Sequence, residues 1–483
     1  MLSVHLSKQS EIVVTGGDEL QEWRERLAKP VPGHKFTPQF KAGHWDGMYR
    51  PGRSLGWNGG QLSLALGRGM LRRVMHDFEG QTEFSFSCST PTKLQLVGVP
   101  DRLYDHQQEA LELAMQASWG RFALATNAGK GAVIALLAKA ASVVGENVLI
   151  LSDEVAVVDA LCGEIRNWVE FEPAIVQAGV KTIPWQAVTV AMVPTLSRRI
   201  NEKKHPNSKI LSDEALKWRE WLASIQMVLV DEADKATSTS WTKLLGCLTG
   251  TTRRYGFSGT FPEKDSIPDL QLEELLGPVL MKVKNAELIE KEISARPTVI
   301  LHPFSVPPPR VHWKEWKELS APTRRQMIYE NAVILHKGRH ALIRSLLKPD
   351  SRNAIIVNRI EHGEQLAEFL EGSVFLDGSV TPAQRIKALE RFEAGEFNTL
   401  IVTKIMDRGS NRLGLVDNII FASAEGSNRQ TLQRIGRGLR RTDGKGEVVL
   451  HDIVDNGHHY LKTLASKRLK LYNDEGFEVR ISK

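Results

Sequence analysis

The sequence predicts an α/β protein: two parallel-sheet lobes in tandem, preceded by a small N-terminal α+β domain. Three observations predict it. Short apolar runs recur (Asn147–Leu151, Met227–Val230, Ala354–Val357, Thr399–Val402), and helical patterns stand between them; that is the rhythm of strands buried on both faces. A glycine-bearing loop, Ala125-Thr126-Asn127-Ala128-Gly129-Lys130-Gly131, joins one such strand, Phe122–Leu124, to an apolar helix, Ala132–Ala140. Finally, 483 residues with 42% hydrophobic and 25% charged content suit two or three packed domains.

Residues 1–97 read as the separate N-terminal unit. Alternating runs such as Glu11–Val14 and Gln61–Leu66 predict strands, with turns at Gly59-Gly60 and Gly67–Gly69. Helical patterns cover Glu19–Leu27 and Met70–Phe78. The stretch Phe36–Gly47 interleaves aromatics with basic residues, among them Lys41, and Lys35, Arg50 and Arg53 flank it. Phe36, Phe40 and Trp45 fit either the core of this domain or a surface that stacks on bases. The basic residues point to nucleic acid, so Lys41 and Trp45 are candidate nucleic-acid contacts.

Residues 98–290 form the expected first lobe. Strand, glycine turn, lysine and helix make a phosphate cradle: backbone N–H groups and the helix N-terminus meet phosphate oxygens, and Lys130 adds a point charge. Thr126, Asn127, Ala128, Gly129, Lys130 and Gly131 are therefore the candidate ATP-binding loop. Such a loop ordinarily carries Ser or Thr after the lysine to hold Mg²⁺, and Gly131 departs from that. Strand Met227–Val230 ends in Asp231-Glu232-Ala233-Asp234. Asp231 at a strand end can hold Mg²⁺, and Glu232 can orient or deprotonate a water.

Downstream, Val188–Leu196 reads as a strand. The run Ser197–Lys209, with Arg198 and Arg199, fits a solvated loop or one that touches DNA. Trp218 and Trp221 lie on one helical face as packing residues. Strand Tyr255–Phe257 ends in Ser258-Gly259-Thr260, and Asp265–Ile289 looks helical. Asp269 and Glu273 superficially suggest a nuclease core, but no Glu-x-Lys strand follows.

Residues 291–456 are the expected second lobe. It contains a charged helical region, Trp313–Leu347, broken at Pro322, followed by further βα units. Gln433-Arg434-Ile435-Gly436-Arg437-Gly438-Leu439-Arg440 sets two guanidinium groups three apart on one helical face. Arg437 and Arg440 are candidate arginine fingers toward the Lys130 loop, and Gln433 reports on the γ-phosphate or the water. Residues 457–483 read as a basic C-terminal helix.

The loop at Lys130, Asp231–Asp234, Ser258–Thr260 and Gln433–Arg440, in that order, resemble motifs I, II, III and VI of the superfamily 2 helicases. The resemblance implies two RecA-like lobes that clasp ATP and Mg²⁺ and step along nucleic acid. It also implies that Gln107 reads adenine, that Thr195 and Thr403 touch a nucleic-acid backbone, and that Gly409 offers an N–H near the γ-phosphate. Ser258 and Thr260 would couple the Mg²⁺ carboxylates to the second lobe. Asn411 stands where the family has a ribose-binding aspartate, and Ser152-Asp153-Glu154 where it has Pro-Thr. The signature Phe36-x-Pro38-x-Phe40-x-x-Gly43-x-Trp45-Asp46-Gly47 is similar to that of phage UvsW-type branch-migration helicases. This narrower likeness implies branched or forked DNA as partner, in recombination, replication and repair. An RNA helicase, a restriction-type translocase subunit and a non-hydrolysing ATP-binding clamp are the competing classes.

Net charge is +6 at pH 7, from 63 basic and 57 acidic residues, which permits a polyanionic partner. Cys88, Cys162 and Cys247 are far apart and form no Cys-x-x-Cys pair, against zinc and a disulfide framework. No apolar stretch approaches a membrane span, so a cytoplasmic, monomeric motor with no membrane partner is expected.

Overall fold

The computed structural model describes residues 1–87, 91–153, 155–169, 171–205, 208–307, 309, 311–403, 416–424 and 447–482. Two compact units emerge: residues 1–124 with 129–282, and residues 125–128 with 283–483. The α/β class and both parallel sheets agree with the sequence reading.

The first unit begins with the N-terminal sheet. Strands β1 (Leu2–Lys8) and β2 (Glu11–Gly16) pair antiparallel, and a short ribbon of β3 (Lys29–Pro30) and β4 (Met48–Tyr49) frames residues 31–47. Then come β5 (Arg53–Asn58), β6 (Gln61–Gly67) and β7 (Thr82–Phe86), giving the order β5-β6-β2-β1-β7. One face of β1, β2 and β6 buries Leu2, Val4, Leu6, Ile12, Val14 and Leu64 against Trp23 and Val74 of two helices. The period-2 alternation of apolar residues makes that core. Phe36, Phe40 and Trp45 are not part of it: Phe36 is 81% exposed, and the other two are half-buried at the ribbon. The core reading of these aromatics is therefore corrected.

The first lobe adds β8 (Trp119–Leu124), β9 (Val148–Ser152), β10 (Ala174–Val176), β11 (Val188–Met192), β12 (Met227–Asp231), β13 (Arg253–Ser258) and β14 (Val279–Val283). Their order is β10-β11-β9-β12-β13-β8-β14, and every pair from β10 to β8 is parallel. β8, β9, β12 and β13 are buried along their whole length, as strands covered on both faces must be. Two expectations are corrected. The strand read over 188–196 stops at Met192, because Pro194 lacks an N–H for a ladder and instead opens a helix, Val193–Ile200. The helical reading of 265–289 is interrupted by β14; Gly277 (φ +96°) ends helix Ile267–Leu276 and lets the chain turn into that strand.

In the second unit, β15 (Arg296–Phe304), β16 (Asn353–Ile356), β17 (Val374–Leu376), β18 (Thr399–Val402), β19 (Asn418–Phe421), β20 (Glu447–Asp455) and β21 (Glu478–Ile481) form a second seven-stranded sheet. The order is β17-β18-β16-β19-β20-β15-β21, parallel throughout. The charged helical region is broken where read: helix Trp313–Glu318 ends just before Pro322, which stands in the first turn of the next helix, Ala321–Tyr329. The tail is more than a basic helix. Helix His459–Asp474 returns the chain to β21 beside β15, and Arg468 is buried on Asp452 at 2.8 Å. Among the described residues no helix is long and apolar enough to cross a membrane.

Candidate active site

Three functional segments leave the carboxyl ends of three adjacent strands, β12, β13 and β8. In register, Asp231 pairs with Phe257, and Ser258 with Ala123. Open parallel sheets bind ligands in that crevice. After β8 the chain turns through Asn127 (φ 75°) and Gly129 (φ 75°), and helix Lys130–Val143 begins at the lysine. Its first turn therefore points backbone N–H groups toward the loop. Thr126 and Asn127 are half-buried and Ala128 is buried. Gly129 is obligatory here, since any side chain would drive into the Gln107 amide besides needing a left-handed backbone.

The Lys130 ammonium lies 3.2 Å from Glu232 Oε1, both less than a fifth exposed. Glu232 itself holds a left-handed backbone (φ 50°), an uncommon conformation for a glutamate and one that recurs at functional turns. Asp231 is 7% exposed, and its Oδ1 has no hydrogen-bond partner among the described residues. Burial pushes its carboxyl up to about 6, with the Lys130 charge pulling the other way and Glu232 adding to the rise. A buried, partnerless carboxylate oxygen beside a lysine fits a divalent cation that is held by one or two carboxylates and completed by phosphates and water.

Ser258 joins this strand end to the acidic turn. Its hydroxyl lies 3.0 Å from Asp234 Oδ1 and 2.9 Å from the Thr260 carbonyl oxygen. The link from the third segment thus runs to Asp234, an acid for which the sequence had suggested no role. Lys235, one residue on, reaches Asp153 at the end of β9 at 3.1 Å.

Gln107 is buried, and its side chain works within the protein: Oε1 accepts the Tyr104 N–H at 3.0 Å and Nε2 reaches the Gly129 carbonyl at 3.5 Å. It braces the loop in addition to any part it has toward adenine. Thr195 sits in the first turn of helix Val193–Ile200, half-buried. Arg198 is exposed, whereas Arg199 donates to the Val180 carbonyl at 2.6 Å. Lys41 is exposed, and the Trp45 indole N–H is taken by the Met48 carbonyl at 3.0 Å. Thr403 is buried at the end of β18, its N–H on the Leu376 carbonyl. Gly409, Asn411, Gln433, Arg437 and Arg440 lie outside the described residues. The nuclease-like acids are engaged in ion pairs: Asp269 holds Arg121 at 2.7 Å and Glu273 holds Arg73 at 2.6 Å.

Residues 101–263 match the family described as Type III restriction enzyme, res subunit, and residues 338–442 match the Helicase conserved C-terminal domain; together these cover more than half of the chain. The Rad25 protein of Haloarcula marismortui, whose name gives it as a DNA 3'-5' helicase, is 25% identical over 234 residues. That stretch is 47% of this chain but only 36% of the relative, so the chain spans about a third of that protein's length. Among solved structures, the ATP-dependent Type ISP restriction-modification enzyme LlaBIII bound to DNA covers 80% of this chain and 32% of its own, with TM-score 0.55 and 13% identity. T4 UvsW covers 100% of this chain and 99% of its own, with TM-score 0.44 and 16% identity. With both helicase domains present in this order, on two parallel sheets and behind a loop lysine and an Asp-Glu-Ala-Asp turn, the chain belongs to the superfamily 2 helicases.

Proposed function

We propose that the protein is an ATP-hydrolysing DNA helicase or translocase that remodels branched and forked DNA. The observation that carries the ATPase reading is the group at the strand ends: Lys130 on Glu232 at 3.2 Å, beside the buried Asp231 carboxylate, whose Oδ1 has no hydrogen-bond partner among the described residues. Lys130 would hold the β- and γ-phosphates, Asp231 would hold Mg²⁺, and Glu232 would orient the attacking water. Such chemistry needs positioning and charge neutralisation more than covalent steps. Gln433, Arg437 and Arg440 are proposed to complete the site, with Gly409 near the γ-phosphate and Gln107 at the adenine. In this reading residues 98–290 and 291–456 are the two motor lobes, and cleft closure on ATP moves the nucleic acid.

The choice of branched DNA is supported by residues 1–97, proposed as a DNA-binding domain. Exposed Phe36 and Lys41 there stand in short helices framed by the β3–β4 ribbon, apart from the core, and the Phe36–Gly47 signature is similar to that of the branch-migration helicases. Lys41, Trp45, Thr195, Arg198, Arg199 and Thr403 are the proposed nucleic-acid contacts, and Ser258 and Thr260 the proposed coupling residues. A monomer working in the cytoplasm completes the reading.

The test is a panel of ATPase and strand-displacement assays over fork, four-way junction, D-loop, plain duplex and RNA hybrid. Stimulation and unwinding greatest on the junction or fork support the reading. Greater activity on RNA makes the chain an RNA helicase instead. Phosphate release equal in native protein and Glu232→Gln makes it a nucleotide-binding clamp.

A further inference from the structure

Gly131 follows the loop lysine, where a hydroxyl ligand for Mg²⁺ would otherwise stand. Its backbone does not call for glycine: it is not among the residues with positive φ, and it lies inside helix Lys130–Val143, where glycine weakens the helix. What calls for glycine is space. A Cβ at 131 would lie 2.7 Å from Cγ of Glu164 and 3.2 Å from its Cβ and Cδ. Glu164 belongs to helix Val155–Val169, and its side chain fills the volume beside the lysine turn that a serine or threonine would take.

Among the described residues the carboxylate there is held by one neutral donor. Glu164 Oε2 accepts the Trp168 indole N–H at 3.0 Å, and the Arg102 guanidinium covers the Trp168 ring at 4.2 Å. A carboxylate next to a triphosphate site is repelled by the phosphates unless a cation lies between them. Lys130, next to Gly131, acts electrostatically on the buried Asp231, whose Oδ1 has no hydrogen-bond partner among the described residues. Hard divalent cations accept carboxylate oxygen as readily as hydroxyl oxygen, directly or through a retained water.

We propose that Glu164 supplies, directly or through a water, the metal ligand that Gly131 lacks, so that the loop glycine and the helix glutamate form one exchanged pair. The proposal rests on the reading of the Lys130 loop as a nucleotide site. When the carboxylate turns to the metal, the Trp168 N–H loses its acceptor, which gives a signal independent of turnover.

The experiment titrates Mn²⁺ and Mg²⁺ into the full-length chain with a fluorescent ADP, for native protein, Glu164→Gln and the double variant Gly131→Ser/Glu164→Ala. Glu164→Gln keeps the volume and the Trp168 acceptor but loses the charge. It is expected to need about tenfold more metal for half-maximal nucleotide binding, with unchanged affinity in EDTA and an unchanged melting temperature without metal. The double variant, with a hydroxyl and room for it, is expected to regain most of the native metal dependence. In 5-fluorotryptophan protein, the resonance lost in Trp168→Phe is expected to shift on adding Mg²⁺ with ADP, and not in Glu164→Gln. Native metal dependence in Glu164→Gln, or a Trp168 resonance unmoved by the metal, overturns the proposal while leaving the nucleotide site intact. Failure of the native chain to bind the nucleotide at all overturns the site reading itself.

Discussion

The Tyr49 hydroxyl donates to one oxygen of Glu274 at 2.9 Å, while the other oxygen of that carboxylate takes the Gly52 N–H at 2.8 Å. Glu274 lies on helix Ile267–Leu276 of the first lobe, and Tyr49 on the N-terminal domain. Arg73 adds ion pairs to Glu273 at 2.6 Å and Asp265 at 2.8 Å, and Leu270 sits within the N-terminal core itself. Gly67 and Gly69 leave room for the helix backbone, which a Cβ at either position would strike. The small domain is thus built into the first lobe, and whatever it grips travels with Lys130 and the acids.

From this docking we expect Glu274→Ala to loosen the N-terminal domain. Burial raises the Glu274 carboxyl above its ordinary value, and its removal leaves the Tyr49 hydroxyl and Gly52 N–H without a partner. Each unsatisfied buried group costs about 1–3 kcal/mol. Calorimetry should show a separate low-temperature transition, and DNA-stimulated ATPase should fall while the basal rate stays within about twofold. A single native-like transition in Glu274→Ala would refute the docking role.

The two charged partners at the loop should separate binding from chemistry. Lys130→Ala removes the cation proposed to meet the phosphates and should weaken nucleotide binding by about 10²-fold or more, in the range of a lost electrostatic anchor. Glu232→Gln should still bind the fluorescent nucleotide yet lose about 10²–10⁴-fold in phosphate release, the usual size of a general-base contribution. Equal losses of binding in both variants would mean that the 3.2 Å pair only holds the loop.

What the sequence revealed and what it hid have physical causes. Strands buried on both faces are continuous apolar runs, so β9, β12, β16 and β18 were legible, and with them the strand-end positions of Lys130, Asp231 and Ser258. The interruption at Pro322 is legible, because proline cannot continue a helix, whereas Pro194 reads as part of a strand although it opens a helix, a difference that only the backbone reveals. β21 is a mostly exposed edge strand with little apolar signal of its own, and β14, Val-Leu-Met-Lys-Val at the edge of the other sheet, follows helix Ile267–Leu276 so closely that its apolar run reads as a continuation of it. Glu164, Asp153 and Glu274 act across long sequence separations on partners that no local pattern links to them. Phe36, Phe40 and Trp45 show the reverse: an apolar composition marks a core only when the chain turns it inward, and here a two-residue ribbon carries it outward.

Nucleic-acid contacts should show as salt dependence. Lys41 and Arg198 are exposed, so Lys41→Ala and Arg198→Ala should each lower the slope of log affinity against log salt by about one, equally across DNA sequences. Arg199 differs, because its guanidinium holds the Val180 carbonyl at 2.6 Å. Arg199→Ala should lower the melting temperature as well as DNA affinity. Fluorescence anisotropy over a salt series, with thermal unfolding of each variant, checks both; an unchanged slope in Lys41→Ala removes that residue from the interface.

Acid should unfold the second lobe through two imidazoles. Burial lowers His362 to about 3, helped by Arg339 and His340, and lowers His451 to about 4, helped by His302 and Lys348. Both ring nitrogens of His362 lack a hydrogen-bond partner among the described residues, and His451 meets His302 at 2.8 Å. In the unfolded chain each titrates near 6.5, so the unfolded state binds more protons wherever pH lies between the two values. The stability these residues provide is complete above about pH 6.5 and is lost as pH falls, down to about 4 for His451 and about 3 for His362, at up to about 1.4 kcal/mol per pH unit for each imidazole. His362→Phe places an apolar ring of similar shape beside His340 and should remove one such step. Denaturant midpoints followed from pH 7.5 to 4.5 should therefore fall less steeply in His362→Phe than in the native chain; parallel curves would show that His362 takes up no proton on unfolding.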